Sequence, residues 1–279
     1  MVHGTNYVVP PTGWPTVVSV HDLTLFQRPE LVLPVVRTFG SVIRRAVDKG
    51  AYVHTISQVV ADEVKALLHT DRVRVVYPGP TYDPNQAPGE LPDGLVGRRF
   101  ILSIGTREPR KNLPRLVAAF GQVHDQNHGI VLVLAGSPGT DDAAIADALG
   151  KLPHEAAENV RLLGYVDDAT RAALFTHATV FAYPSLDEGF GLPLLEAMHY
   201  RVPIVTSTAG ALPEIATDAA LLVDPTDTTA TAHALHIALT DEPTRQRLVE
   251  AGTRRGRAFS WTTAADEMVA LYHHVLEHS

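Results

Sequence analysis

YPSLDEGFGLPLLEAMHYRVPIVT, residues 183–206, holds a glycine-rich turn that opens into a helical pattern, with one carboxylate, Glu188, before the turn and another, Glu196, inside the helix. The run ATVFAYPS (178–185) ahead of it reads as a buried strand. Gly189 and Gly191 let the backbone turn sharply, and Pro193 suits a first helical turn, where its missing N–H is no loss. Unpaired amides at such a helix start attract a diphosphate. Helical side chains lean toward the N-terminus, so Glu196 points back toward the same ligand and accepts hydrogen bonds from sugar hydroxyls. Glu188 lies on the loop side. Its carboxylate either holds a second set of hydroxyls or faces positive charge that develops during a reaction.

Around this segment the chain has the periodicity of a parallel sheet covered by helices. From residue 99 onward, strand runs at 100–106, 129–137, 159–165, 179–185, 202–207 and 219–225 alternate with helical patterns such as 112–126 and 167–178. Such open sheets bind ligands at the carboxyl ends of their strands, which is where 183–206 begins. Before residue 99 the same grammar is shorter: strands at 15–20, 51–57 and 72–78, with helical stretches at 30–49 and 58–69. Three strands make a thin sheet whose first member, PTVVSV, is expected at an unpaired edge. Residues 79–98, rich in Pro and Gly, read as a linker between an N-terminal lobe (1–98, linker included) and a C-terminal domain (99–279). The tail from about 241 reads as two helices broken near Phe259–Ser260, the terminal one free to pack back on the first lobe.

Composition narrows the function classes. The chain has 279 residues, is 45% hydrophobic and carries a formal charge of −8, which opposes a broad nucleic-acid footprint. No apolar run approaches the roughly 18 residues of a membrane span, and the start lacks a basic-then-apolar leader, so cytoplasm is the default location. With no cysteine, disulfides, thiolate metal sites and a cysteine nucleophile are excluded. Fourteen histidines include no H-E-x-x-H arrangement, and His273, His274 and His278 belong to a solvated terminal pattern. Arg37, Arg44, Arg45 and Lys49 are expected to make one helix basic. That leaves peripheral contact with an anionic membrane open, beside the simpler reading of a solvated face.

SIGTREPRKNLPRLVAAF (103–120) places Arg107, Arg110 and Lys111 after a strand and before a helix opened by Asn112, a good N-cap residue. Cations there stand beside any phosphate that the sheet binds. VVSVHDLTLF (17–26) ends another strand with His21 and Asp22, and GYVDD (164–168) ends a third.

Two acids with seven residues between them around GFGLP, together with the E-P-R-K-N loop, resemble the signatures of family 4 retaining glycosyltransferases. The likeness covers nearly the whole chain. It implies an α/β GT-B fold, two Rossmann-like lobes with parallel sheets around a cleft, and a first lobe that is incomplete. It also implies transfer of a hexose, mannose by the EPRKN form, from a GDP- or UDP-linked donor to a glycan or lipid-linked acceptor, with retention and without a metal or other cofactor. By the resemblance Glu188 and His21 attend the transferred sugar, and Arg110 and Lys111 neutralise the diphosphate. The amides of Gly189, Phe190, Gly191 and Leu192 contact that diphosphate, Glu196 binds the ribose, and Tyr165 and Val166 hold the base through backbone groups.

Two departures from the pattern stand out. Tyr200–Arg201 replaces a small residue and Gly, and Thr217 replaces a Gly, both expected to affect packing more than chemistry. Relative to a normal domain of that family, roughly 80–100 residues of the first lobe are expected to be missing. A nucleotide-sugar binding protein without turnover therefore stays open, as does a GT-B sugar-nucleotide epimerase, although the further acid/base residues of an epimerase are not found.

Overall fold

The computed structural model describes residues 1–83, 86–127 and 129–278, so positions 84 and 85 of the expected linker lie outside the described residues. The chain divides into two compact units. One comprises Met1–Pro80, Asp187–Phe190 and Phe259–Ser279, and the other Thr81–Leu186 and Gly191–Ala258.

The first unit opens with β1 (Val2–Gly4) and β2 (Thr16–Val20), followed by the single turns α1 (Thr24–Gln27) and α2 (Pro34–Arg37) and by α3 (Phe39–Asp48). β3 (Tyr52–Thr55), α4 (Gln58–Leu68) and β4 (Val73–Val75) complete it up to the boundary. Among the described residues the sheet is four-stranded and parallel, in the order β1-β2-β3-β4. This corrects the expected three-stranded sheet, because β1 pairs along β2 and PTVVSV is an inner strand. β2 is covered on both faces. Val18 and Val20 pack with Ile43, Val60 and Val64 on one side, and Val17 packs with Leu271 and Val275 of the C-terminal helix on the other. That is why its sequence is apolar without alternation. The helix expected over 30–49 is interrupted, since Pro34 has no N–H to continue a preceding turn and starts α2 instead.

In the second unit β5 (Phe100–Ile104), α5 (Leu113–His124), β6 (Val131–Ala135), α6 (Asp142–Gly150), the turn α7 (His154–Ala157) and β7 (Val160–Gly164) form one half. α8 (Asp168–His177), β8 (Val180–Tyr183), α9 (Leu192–His199), β9 (Ile204–Ser207), α10 (Leu212–Ala216), β10 (Ala220–Val223), α11 (Thr228–Thr240) and α12 (Glu242–Gly256) form the other. α13 (Trp261–Glu277) belongs to the first unit. Every run read as a strand contains one, trimmed by a residue or more at one or both ends. The six described strands are parallel in the order β10-β9-β8-β5-β6-β7. The chain starts in the middle, winds outward to β7, and returns to the other side of β5 as β8. β5 and β8 are thus the neighbours at which the winding direction reverses, and the crevice of a doubly wound sheet opens at their carboxyl ends. Beneath it, Ile101, Leu132 and Leu134 pack against Leu116 and Phe120 of α5 and Leu235 of α11.

At both positions where glycine was expected the backbone has a positive φ. Arg201 has φ 58° and Thr217 has φ 48°, values that favour glycine.

Candidate functional site

The loop after β5 carries Arg107, Glu108, Arg110 and Lys111 and is tied to its neighbours on both sides. Toward β6, Arg107 N–H donates to Ser137 O at 3.1 Å, Asp141 N–H donates to Arg107 O at 3.1 Å, and the Arg107 guanidinium pairs with Asp142 at 2.9 Å. Toward β8, Leu186 N–H donates to Arg110 O at 2.8 Å. Lys111 Nζ donates to the Tyr183 hydroxyl at 2.5 Å. Arg110 stands 3.8 Å from the Glu108 carboxylate. Asn112 occupies the cap position of α5 but does not cap it. Its backbone is left-handed, at φ 58° and ψ 32°, and its side-chain amide instead donates to Pro184 O at 3.0 Å and Pro225 O at 2.8 Å. Asn tolerates that conformation, so the residue staples the ends of β8 and β10 to the cationic loop.

Across the turn, Gly191 adopts φ 100° immediately before Leu192 and Pro193 start α9. A side chain there would combine an unfavourable φ with a Cβ 2.7 Å from Leu212 Cδ2. Glu196 lies one turn into α9 and is 1% exposed. Its carboxylate accepts two parallel hydrogen bonds from Arg171 of α8, Nε to Oε2 and Nη2 to Oε1, both at 2.5 Å, and one from the Thr81 hydroxyl at 3.2 Å. Sequence reading missed Arg171, Thr81 and Tyr183. The only signal for Arg171 was indirect: a carboxylate on a buried helix face requires a cation. Tyr165 and Val166 follow the edge strand β7, two strands out from β5, and the Tyr165 side chain is 77% exposed.

In the first unit, His21 directly follows β2. Its Nε2 faces Thr5 O at 2.9 Å, and because a carbonyl only accepts, Nε2 is the donor and Nδ1 of the neutral ring is left as an acceptor. The Tyr7 ring stands edge-on to it, 5.6 Å between centroids. Gly189 lies directly against His21: a Cβ at 189 would fall 1.8 Å from His21 O, so no other residue fits without moving the turn. Thr24 donates its hydroxyl to Asp187 at 2.9 Å, and Phe190 is buried against Tyr77 and Phe259. Glu188, between these anchors, is 7% exposed. The structure thus brings His21 together with the Glu188–Phe190 turn, and Arg110 and Lys111 together with the end of β8.

Among the described residues no helix is long and apolar enough to cross a membrane. Of the basic stretch, Arg44 lies over the Phe26 ring, 5.0 Å from its centroid, and points an N–H at Leu67 O at 3.4 Å.

Residues 94–255 match the family described as Glycosyl transferases group 1. The chain is 32% identical over 283 residues to O-antigen chain mannosyltransferase B of Escherichia coli, covering 97% of this chain and 73% of that protein. It is 32% identical over 168 residues to phosphatidyl-myo-inositol mannosyltransferase of Mycobacterium leprae (strain TN), covering 59% of this chain and 43% of that protein. Among solved structures, sucrose-phosphate synthase from Thermosynechococcus elongatus superposes with a TM-score of 0.77 at 23% identity, over 96% of this chain and 69% of that one. An alpha,alpha-trehalose-phosphate synthase (UDP-forming) from Burkholderia vietnamiensis gives a TM-score of 0.76 at 17% identity, over 94% and 70%.

Proposed function

Because this chain belongs to the glycosyl transferases group 1 family, with the GT-B fold, we propose that it transfers a mannosyl residue from a nucleotide-diphosphate donor, GDP- or UDP-linked, to a glycan or lipid-linked acceptor, with retention at the anomeric carbon. The observation that carries this reading is that the strands leading into the two signatures are adjacent in the sheet of the second unit. The cationic loop leaves β5, the E-G-F-G-L-P turn leaves β8, and these strands are neighbours. Similar relatives named as mannosyltransferases support the choice of sugar.

In this reading Arg110 and Lys111, with the amides that open α9, stabilise the charge that grows on the leaving diphosphate. Glu196 takes the ribose hydroxyls, and backbone groups at Tyr165 and Val166 take the base. Glu188 and His21 hold the transferred sugar, His21 accepting from a sugar hydroxyl at Nδ1. The acceptor hydroxyl oxygen bonds to the anomeric carbon on the face from which the diphosphate oxygen departs. That oxygen takes the electron pair of the broken bond and then the hydroxyl proton. Two fixed cations and a helix start perform the role for which other phosphoryl-group enzymes use a metal.

The test is transfer from GDP-mannose, UDP-glucose and UDP-galactose to mannosylated glycan and lipid acceptors in EDTA, with the product's anomeric configuration read by NMR. An α-linked product from an α-linked donor supports the reading. A β-linked product overturns retention, and an absolute requirement for added divalent metal overturns the role given to Arg110 and Lys111. Absence of both transfer and nucleotide binding overturns the function.

A further inference from the structure

Glu196 is buried among apolar neighbours of α9, and a carboxylate in that setting is tolerable only if its charge is met. Arg171 meets it fork to fork, and Thr81 adds a third hydrogen bond. A carboxylate offers about four acceptor directions, so this arrangement fixes the plane of the group and leaves little more than one lone pair uncommitted. Arg171 reaches the carboxylate from α8 with its own side chain 33% exposed. Both residues line a cavity of about 190 Å³ together with Thr81, Asp168 and Tyr200. The cavity therefore meets Glu196 on the side where Arg171 stands.

We infer that Arg171 is a positioning residue for nucleotide recognition. By holding the Glu196 carboxylate in one orientation, it aims the remaining lone pair at a ribose hydroxyl, so that selection for ribose depends on Arg171 as much as on Glu196. The inference rests on the reading of Glu196 as the ribose acceptor. A lysine in place of Arg171 supplies charge without the planar fork, and so satisfies the buried carboxylate without fixing its plane.

Calorimetric titration of GDP and UDP, each against its 2′,3′-dideoxy counterpart, reads this directly. The parent protein is expected to favour the ribonucleotide by on the order of 10-fold or more, the scale of a hydrogen bond to a charged group. Arg171→Ala should bring that ratio close to one while affinity for the dideoxynucleotide changes little, and Arg171→Lys should lower the ratio while keeping the fold. If Arg171→Ala is insoluble, Arg171→Lys decides alone. An unchanged ratio in the Arg171 variants, or equal losses for both nucleotides, overturns the inference. Glu196→Gln separates the two levels: if it abolishes the ribose preference while Arg171 variants keep it, only the inference falls. If Glu196→Gln keeps the preference, the ribose reading falls and the inference with it.

Discussion

Lys111 carries its charge on a flexible stem, and Tyr183 fixes where that charge rests. The stem passes Gly105, at whose position a Cβ would lie 3.3 Å from Lys111 Cε, and the ammonium ends on the Tyr183 hydroxyl. Lys111→Ala should weaken GDP or UDP binding by about 1–3 kcal/mol, the range for hydrogen bonds to charged groups. Lys111→Arg should not restore it, because a rigid planar fork has to thread the same passage. Calorimetry with both nucleotides checks this, and parental affinity in the alanine variant would show the loop to be only a solvated surface. Glu188 is held in a turn anchored by Thr24, by the carbonyl of His21 and by the aromatic packing of Phe190. Glu188→Gln keeps the shape and removes the charge. Nucleotide affinity should stay within about 2-fold while transfer falls by on the order of 10²-fold, as when a single charge-stabilising group is lost. Equal losses in binding and turnover would place Glu188 on the nucleotide instead.

At the scale of elements, two helix ends carry side chains in backbone conformations that favour glycine. α9 closes with Arg201 N–H donating to Met198 O at 3.2 Å and Val202 N–H to Ala197 O at 2.9 Å, a Schellman motif with arginine where glycine is usual. α10 closes at Thr217 with φ 48° and ψ −118°, a conformation that a β-branched side chain resists. Thr217→Gly should therefore stabilise the protein by about 1 kcal/mol, part of the relief being offset by glycine's extra freedom in the unfolded chain. Urea denaturation measures it, and unchanged or lower stability would show that Thr217 is not strained. Arg201→Gly should act in the same direction by less, since φ 58° lies in the ordinary left-handed region.

At the scale of the molecule, the first unit is held by a chain of hydrogen bonds that joins its sheet to its C-terminal helix. His54 Nε2 faces Val76 O at 3.4 Å, so it donates, which leaves Nδ1 to accept from Ser19 at 2.7 Å. Ser19 then accepts from His3 Nε2 at 2.8 Å, and His3 Nδ1 accepts from the Tyr272 hydroxyl of α13 at 2.7 Å. Both imidazoles are neutral in this arrangement. Burial drives His54 down to about 4, with repulsion from His3 and His21 adding and the bond to Val76 opposing; burial also lowers His3. Between pH 6.5 and 4 the unfolded chain binds more protons at His54 than the native one, so this contribution is whole above 6.5 and is lost as pH falls. At pH 5 the loss amounts to about 2 kcal/mol for His54. Denaturation of the parent and of His54→Asn at pH 7 and pH 5 isolates it: the parent should lose more stability than the variant. Parallel losses would show that His54 titrates normally.

What the sequence determined by itself was local: unbroken apolar runs of strand length, helical patterns between them, turn glycines, and the placing of acids and cations at strand ends. These follow from torsional preferences and side-chain direction within a few residues, which is why the strand runs and both signatures were legible. β1 was not, because three residues become a strand only when β2 lies beside them. Asn112 gave the wrong local answer, since its amide found carbonyls 72 and 113 positions away and abandoned its own helix. The Arg171–Glu196 pair spans 25 positions and the His3–Tyr272 bond spans 269. Only the tertiary structure decided those, because a buried charge or imidazole takes whichever partner packing delivers, and no local spacing encodes which one that is.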